Sequence, residues 1–116
     1  MVHAENGELI AYNSERLEKQ GVLGPEGHPL SRSDEIEAEA THRVITIANT
    51  IGVPLYVVHV MKKGALNEIR RAKKKGNLVF AETLAATLGV DGSHYWDKDW
   101  DKAASFVMSP AIDEDP

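Results

Sequence analysis

The run Leu55-Tyr56-Val57-Val58-His59-Val60 follows almost directly on a long helical pattern, with only Gly52, Val53 and Pro54 between them. This junction limits the fold more than any other feature. A short β-branched run that is apolar on both faces needs cover on both sides, the condition of a strand in a parallel sheet flanked by helices. The helix before it runs from about Asp34 to Ile51. Ser33 is placed to cap it, and Asp34 and Glu35 complement the positive end of the helix dipole. Ile36, Ala40, Val44, Ile47, Ala48 and Ile51 recur at three- and four-residue steps and predict one buried stripe. Gly52 offers a left-handed terminus, and Pro54 prevents continuation.

The alternation extends in both directions. Met1 to His3 reads as the end of a strand, Glu8 to Lys19 as a helix, and the Gly- and Pro-rich Gly21 to Arg32 as a loop. Downstream, Ala65, Leu66, Ile69 and Ala72 mark a second amphipathic helix whose last turns carry Arg70, Arg71, Lys73, Lys74 and Lys75. Leu78 to Ala81 is a further strand. Thr83 to Leu88 and Lys98 to Phe106 predict short helices around a turn at Asp91-Gly92. Strands alternating with helices imply parallel crossovers and an α/β fold. Three strands are too few to close a barrel, and as an open sheet they leave bare edges. With no repeat and no internal boundary in the pattern, residues 1–116 are expected to form one part of a larger α/β domain.

Composition narrows the function. With 18 acidic against 13 basic residues the net charge is -5, the wrong sign for neutralising a phosphate backbone, so nucleic acid is an unexpected partner. The chain has no cysteine, which excludes disulfides and thiolate metal sites and leaves His, Asp and Glu as metal donors. No apolar run approaches the roughly 20 residues that cross a bilayer, and Met1 to Asn6 lacks the features of a signal peptide. The expectation is a soluble, cytoplasmic protein.

His59 is the first candidate site residue. Strand alternation places it on the face of Leu55 and Val57, near the C-terminal end of its strand, where a (β/α)8 barrel carries its active site. The alternative is a buried histidine hydrogen-bonded to its neighbours. His3 stands similarly at the end of an apolar stub. Neutral imidazoles from neighbouring strands can share a zinc ion, although a zinc site wants three or four ligands. His28, His42 and His94 have no ligand spacing, and His42 is expected to face solvent. The basic run from Arg70 to Lys75 reads as a cationic helix terminus rather than an anion site. Tyr95, Trp96 and Trp100 are expected to pack or to meet another subunit. Glu5 and Glu82 could exchange protons but have no identifiable partner in the sequence.

Several blocks together resemble the dihydropyrimidinase family. They are Met1-Val2-His3-Ala4-Glu5-Asn6-Gly7, Gly24-Pro25-Glu26-Gly27-His28, Leu30-Ser31-Arg32, Glu37-Ala38-Glu39-Ala40, Pro54-Leu55-Tyr56-Val57-Val58-His59-Val60-Met61 and Asp91-Gly92-Ser93-His94-Tyr95-Trp96. They lie in the family's order and cover nearly the whole chain.

The resemblance implies a segment of a (β/α)8 metal-dependent amidohydrolase barrel from a homotetrameric enzyme. It implies two zinc ions bridged by a carboxylated lysine, and hydrolysis of dihydrouracil or dihydrothymine to N-carbamoyl β-amino acids. By position, His3 and His59 match two histidine ligands of one metal. Ser109 matches a residue of the segment that binds the pyrimidine ring. The family's other ligands and its catalytic aspartate match no position here, so no catalytic residue is expected in these 116 residues, nor activity from them alone. Two short stretches depart from the family: Ala81-Glu82-Thr83 stands for the usual Gly-Glu-Pro, and Pro110-Ala111-Ile112-Asp113 lacks a second proline. The resemblance also covers the collapsin response mediator proteins, non-catalytic adaptors of the same fold. These usually replace the ligand at His59, so the histidine favours the enzyme.

Overall fold

The computed structural model describes residues 1–113. Glu114 and Asp115, which belong to the acidic end of the sequence, lie outside the described residues. The chain divides into two compact units, one made of Met1–Asn6 with Asp34–Leu84, the other of Gly7–Ser33 with the residues from Ala85 on.

The first unit is a small parallel α/β layer. Strand β1 (Leu55–Val57) pairs in parallel with β2 (Val79–Ala81), in the register Leu55↔Val79, Tyr56↔Phe80 and Val57↔Ala81. On the other side of β1, Val2 forms a single parallel bridge with Val57. The Val2 N–H donates to the Tyr56 carbonyl at 2.9 Å, and the Val58 N–H donates to the Val2 carbonyl at 3.1 Å. The three predicted strands are therefore two strands and one bridge, with β1 in the middle.

Two long helices belong to this unit, α3 (Asp34–Ile51) and α4 (Lys63–Lys74). Ala40, Ile45 and Ala48 of α3, Ala65, Ile69 and Ala72 of α4, and Leu55, Val57 and Val79 of the sheet form one buried apolar cluster with Ala4. Both helices end as their glycines require. Gly52 and Gly76 take φ of 72° and 83°. At Gly52, the Val53 N–H reaches back to the Ala48 carbonyl at 3.0 Å and the Gly52 N–H to that of Asn49 at 3.3 Å. This is the paired bonding of a left-handed helix terminus.

Two expectations need correction. The buried line on α3 is Ile36, Glu37, Ala40, Thr41, Ile45 and Ala48, whereas Ile47 and Ile51 are exposed. Counting only apolar residues rotated the predicted stripe, because two polar residues occupy the buried face. The strand also stops at Val57 rather than running to Val60, since His59 adopts φ 40° and breaks the extended backbone.

The second unit consists of one longer helix, α1 (Gly7–Lys19), with the short α2 (Gly27–Leu30), 3₁₀ turns at Ala85–Leu88 and Gly92–Trp96, and α5 (Trp100–Ala104). The segment expected to be loop thus contains one helical turn. Leu17, Tyr95, Ala103, Ala111 and Ile112 are its buried apolar groups. Among the described residues no helix is long and apolar enough to cross a membrane.

Candidate metal centre

Val2 and Ala4 pack towards the helices, so alternation turns His3 to the opposite side of the sheet, where its side chain is half-exposed. Continued alternation along β1 would have put His59 with Leu55 and Val57, on the buried side. The left-handed residue removes it from that register. Its ring stands beside His3 instead, with centroids 4.7 Å apart and planes at 67°. His3 Nδ1 and His59 Nε2 are 2.9 Å apart. The two histidines, 56 residues apart in sequence, do converge, but on the face opposite to the one predicted for His59.

Glu5 completes the local arrangement. Its carboxylate lies 3.3 Å from His3 Nε2, and its side chain is 6% exposed against 50% for the histidine. A proton on Nε2 shared with Glu5 leaves the Nδ1 lone pair directed at His59, the usual way in which a carboxylate fixes the tautomer of a metal-binding imidazole.

The pair fits a shared cation. Two nitrogens on one tetrahedral zinc, each at about 2.0–2.1 Å, stand about 3.3 Å apart. A small rotation of either ring from the observed 2.9 Å separation reaches that spacing. Among the described residues no group of three or more His, Cys, Asp or Glu is placed to hold a metal.

Near Glu5 lies a residue that the sequence does not single out. Glu37 on α3 is 4% exposed, and its Oε1 accepts the Met61 N–H at 2.9 Å. Its Oε2 has no hydrogen-bond partner, nor has the Oγ1 of Thr41 one turn on. Burial pushes the Glu37 carboxyl up to about 7, with the Met61 N–H opposing and the nearby Glu5 adding to the rise. The available signal was the i, i+4 spacing of Glu37, Thr41 and Ile45.

Ser109 lies in the second unit and is exposed. The segment around it is held by side chains. His28 Nε2 donates to the Met108 carbonyl at 2.5 Å. The Ile112 N–H donates to the Tyr95 hydroxyl at 3.1 Å. Tyr95 is 1% exposed, as a packing role requires, whereas Trp96 and Trp100 are exposed. His94 stacks on Phe106 with centroids 4.1 Å apart. His42 is exposed as predicted but also meets Glu68 at 3.0 Å. Glu82 accepts the Tyr56 hydroxyl at 2.8 Å, and that bond raises the Tyr56 pKa.

The backbone arrangement defines a class before any relative is considered: a parallel α/β segment with paired histidines beyond the sheet's central strand. A solved D-hydantoinase matches it with a TM-score of 0.94 and 37% identity, over 99% of this chain and 25% of that one. Dihydropyrimidinase 2 of Caenorhabditis elegans is 55% identical over 115 residues, 99% of this chain. Human dihydropyrimidinase-related protein 5 is 48% identical over 111 residues. No family model matches the chain. The chain is similar to dihydropyrimidinases along nearly its whole length, and it spans about 22% of the length of these curated relatives.

Proposed function

We propose that this chain is part of the catalytic (β/α)8 barrel of a zinc-dependent cyclic-amide hydrolase that opens dihydropyrimidines such as dihydrouracil to N-carbamoyl β-amino acids. The observation that carries this reading is the 2.9 Å approach of His3 Nδ1 to His59 Nε2. His3 and His59 would hold one zinc ion, with Glu5 orienting His3. Zinc there would polarise a ring carbonyl and acidify water. Ser109, in a segment held by His28 and Tyr95, would contact the pyrimidine ring. A homotetramer in the cytoplasm belongs to the same reading.

The alternative is an adaptor of the dihydropyrimidinase-related type. Identities of 55% and 48% are too close to decide between them, and His59 carries the choice. The test is a chimera in which this chain replaces the matching segment of a solved D-hydantoinase. Bound zinc and dihydrouracil turnover, both lost in His59→Ala, are expected. A folded chimera that binds no zinc and turns over nothing would favour the adaptor.

A further inference from the structure

His59 is a non-glycine residue in the left-handed region, a strained conformation that persists where the surroundings over-determine it. The structure supplies that determination on the C-terminal side of the residue. The Val60 N–H donates to the Glu82 carbonyl at 2.7 Å. One residue later, the Met61 N–H donates to the buried Glu37 carboxyl at 2.9 Å. The Gly64 N–H, at the start of α4, donates to Asp34 Oδ1 at 2.7 Å. The first turn of α3 therefore clamps the segment leaving His59 at two points. The approach is close: a Cβ on Gly64 would stand 2.3 Å from Asp34 Oδ2 and 2.9 Å from the Ala38 Cβ.

The two clamps differ in kind. Asp34 is exposed, so water can replace it. Glu37 is buried, and if its carboxyl is removed, the Met61 N–H loses its acceptor inside the protein, where water does not substitute freely. We propose that Glu37 is a positioning residue: by holding the Met61 N–H from within the core, it locks the left-handed turn at His59 and aims that ring at His3. For metal binding, the proposal rests on the reading of His3 and His59 as a ligand pair.

The experiment compares Glu37→Leu with Glu37→Gln within the D-hydantoinase chimera described above, reading Co²⁺ affinity by titration and hydrogen exchange at Val60, Met61 and Lys62. Glutamine keeps an acceptor for Met61, and leucine does not. Glu37→Leu is expected to lower Co²⁺ affinity about ten-fold or more, the usual effect of losing support behind a ligand, and to speed exchange at Met61. Glu37→Gln should restore both. Wild-type affinity and exchange in Glu37→Leu would overturn the proposal.

If the wild-type chimera binds no Co²⁺, the metal reading fails, while exchange at Met61 still decides the latch. If the leucine variant does not fold, the Met61 amide shift of the wild type is followed against pH. Glu5, Asp34 and Lys62 surround Glu37 electrostatically, so Glu37→Gln is the control. Movement present in the wild type and absent from the glutamine variant supports the latch; an immobile Met61 signal overturns it.

Discussion

The two units of this chain are held together by different means. The first is organised by apolar periodicity: helices α3 and α4 bury alanine and isoleucine against the inner face of a parallel sheet. In the second, regular structure beyond α1 is short, and side chains reach across loops to hold single backbone groups. His28 holds the Met108 carbonyl, Tyr95 holds the Ile112 N–H, and Asp91 accepts the Ser93 N–H. A core made by periodicity spreads its stability over many contacts of low specificity. A loop held by two or three hydrogen bonds concentrates its geometry in a few atoms. The proposed metal pair lies on the first kind of scaffold, and Ser109 on the second.

The largest expected effect tests the first unit. Ile69 is 3% exposed within the apolar cluster, and Ile69→Ala should cost about 2–5 kcal/mol in chemical denaturation followed by far-ultraviolet circular dichroism. A loss well under 1 kcal/mol would mean that the cluster is not what stabilises this unit, and the contrast would fail.

Much of this unit is legible in the sequence, because its signals are local. The helix from Asp34 to Ile51 was bounded correctly by periodicity, Gly52 and Pro54. What was missed depends on partners far away along the chain. Glu37 meets Met61 across 24 residues, Tyr95 meets Ile112 across 17, and His28 meets Met108 across 80. Alternation misplaces the face of His59 for a related reason. Alternation holds only while the backbone stays extended, and nothing in Val58-His59-Val60 announces a left-handed residue.

Glu37 also breaks the simple contrast, since it is a single buried acceptor inside the periodic unit. Its carboxyl is raised from 4.5 to about 7, so the folded chain holds a proton there that the unfolded chain has released. Its contribution to stability is complete below pH 4.5 and is lost as pH rises through about 7. The loss amounts to something on the order of 3 kcal/mol. Denaturation at pH 4.5 and pH 8 should reveal this fall, and Glu37→Gln should flatten it. An equally steep fall in the glutamine variant would assign the dependence to other groups.

The smallest of these effects sharpens the other side of the comparison. Tyr95 is almost wholly buried, and burial pushes its phenol pKa up while the Ile112 N–H and Arg32 act in the opposite sense. The hydroxyl thus remains neutral near pH 7 and serves Ile112 as an acceptor. Tyr95→Phe keeps the ring's packing and removes only that acceptor, leaving the N–H of a residue that is 3% exposed without this partner. Such a group costs about 1–3 kcal/mol. Trp96 and Trp100 both lie in this unit, so tryptophan fluorescence during denaturation reads it directly. The expected result is a lower midpoint together with faster hydrogen exchange at Ile112, three residues from Ser109. If the midpoint falls without faster exchange at Ile112, Tyr95 acts through packing alone, and the second unit is less dependent on single hydrogen bonds than its geometry implies.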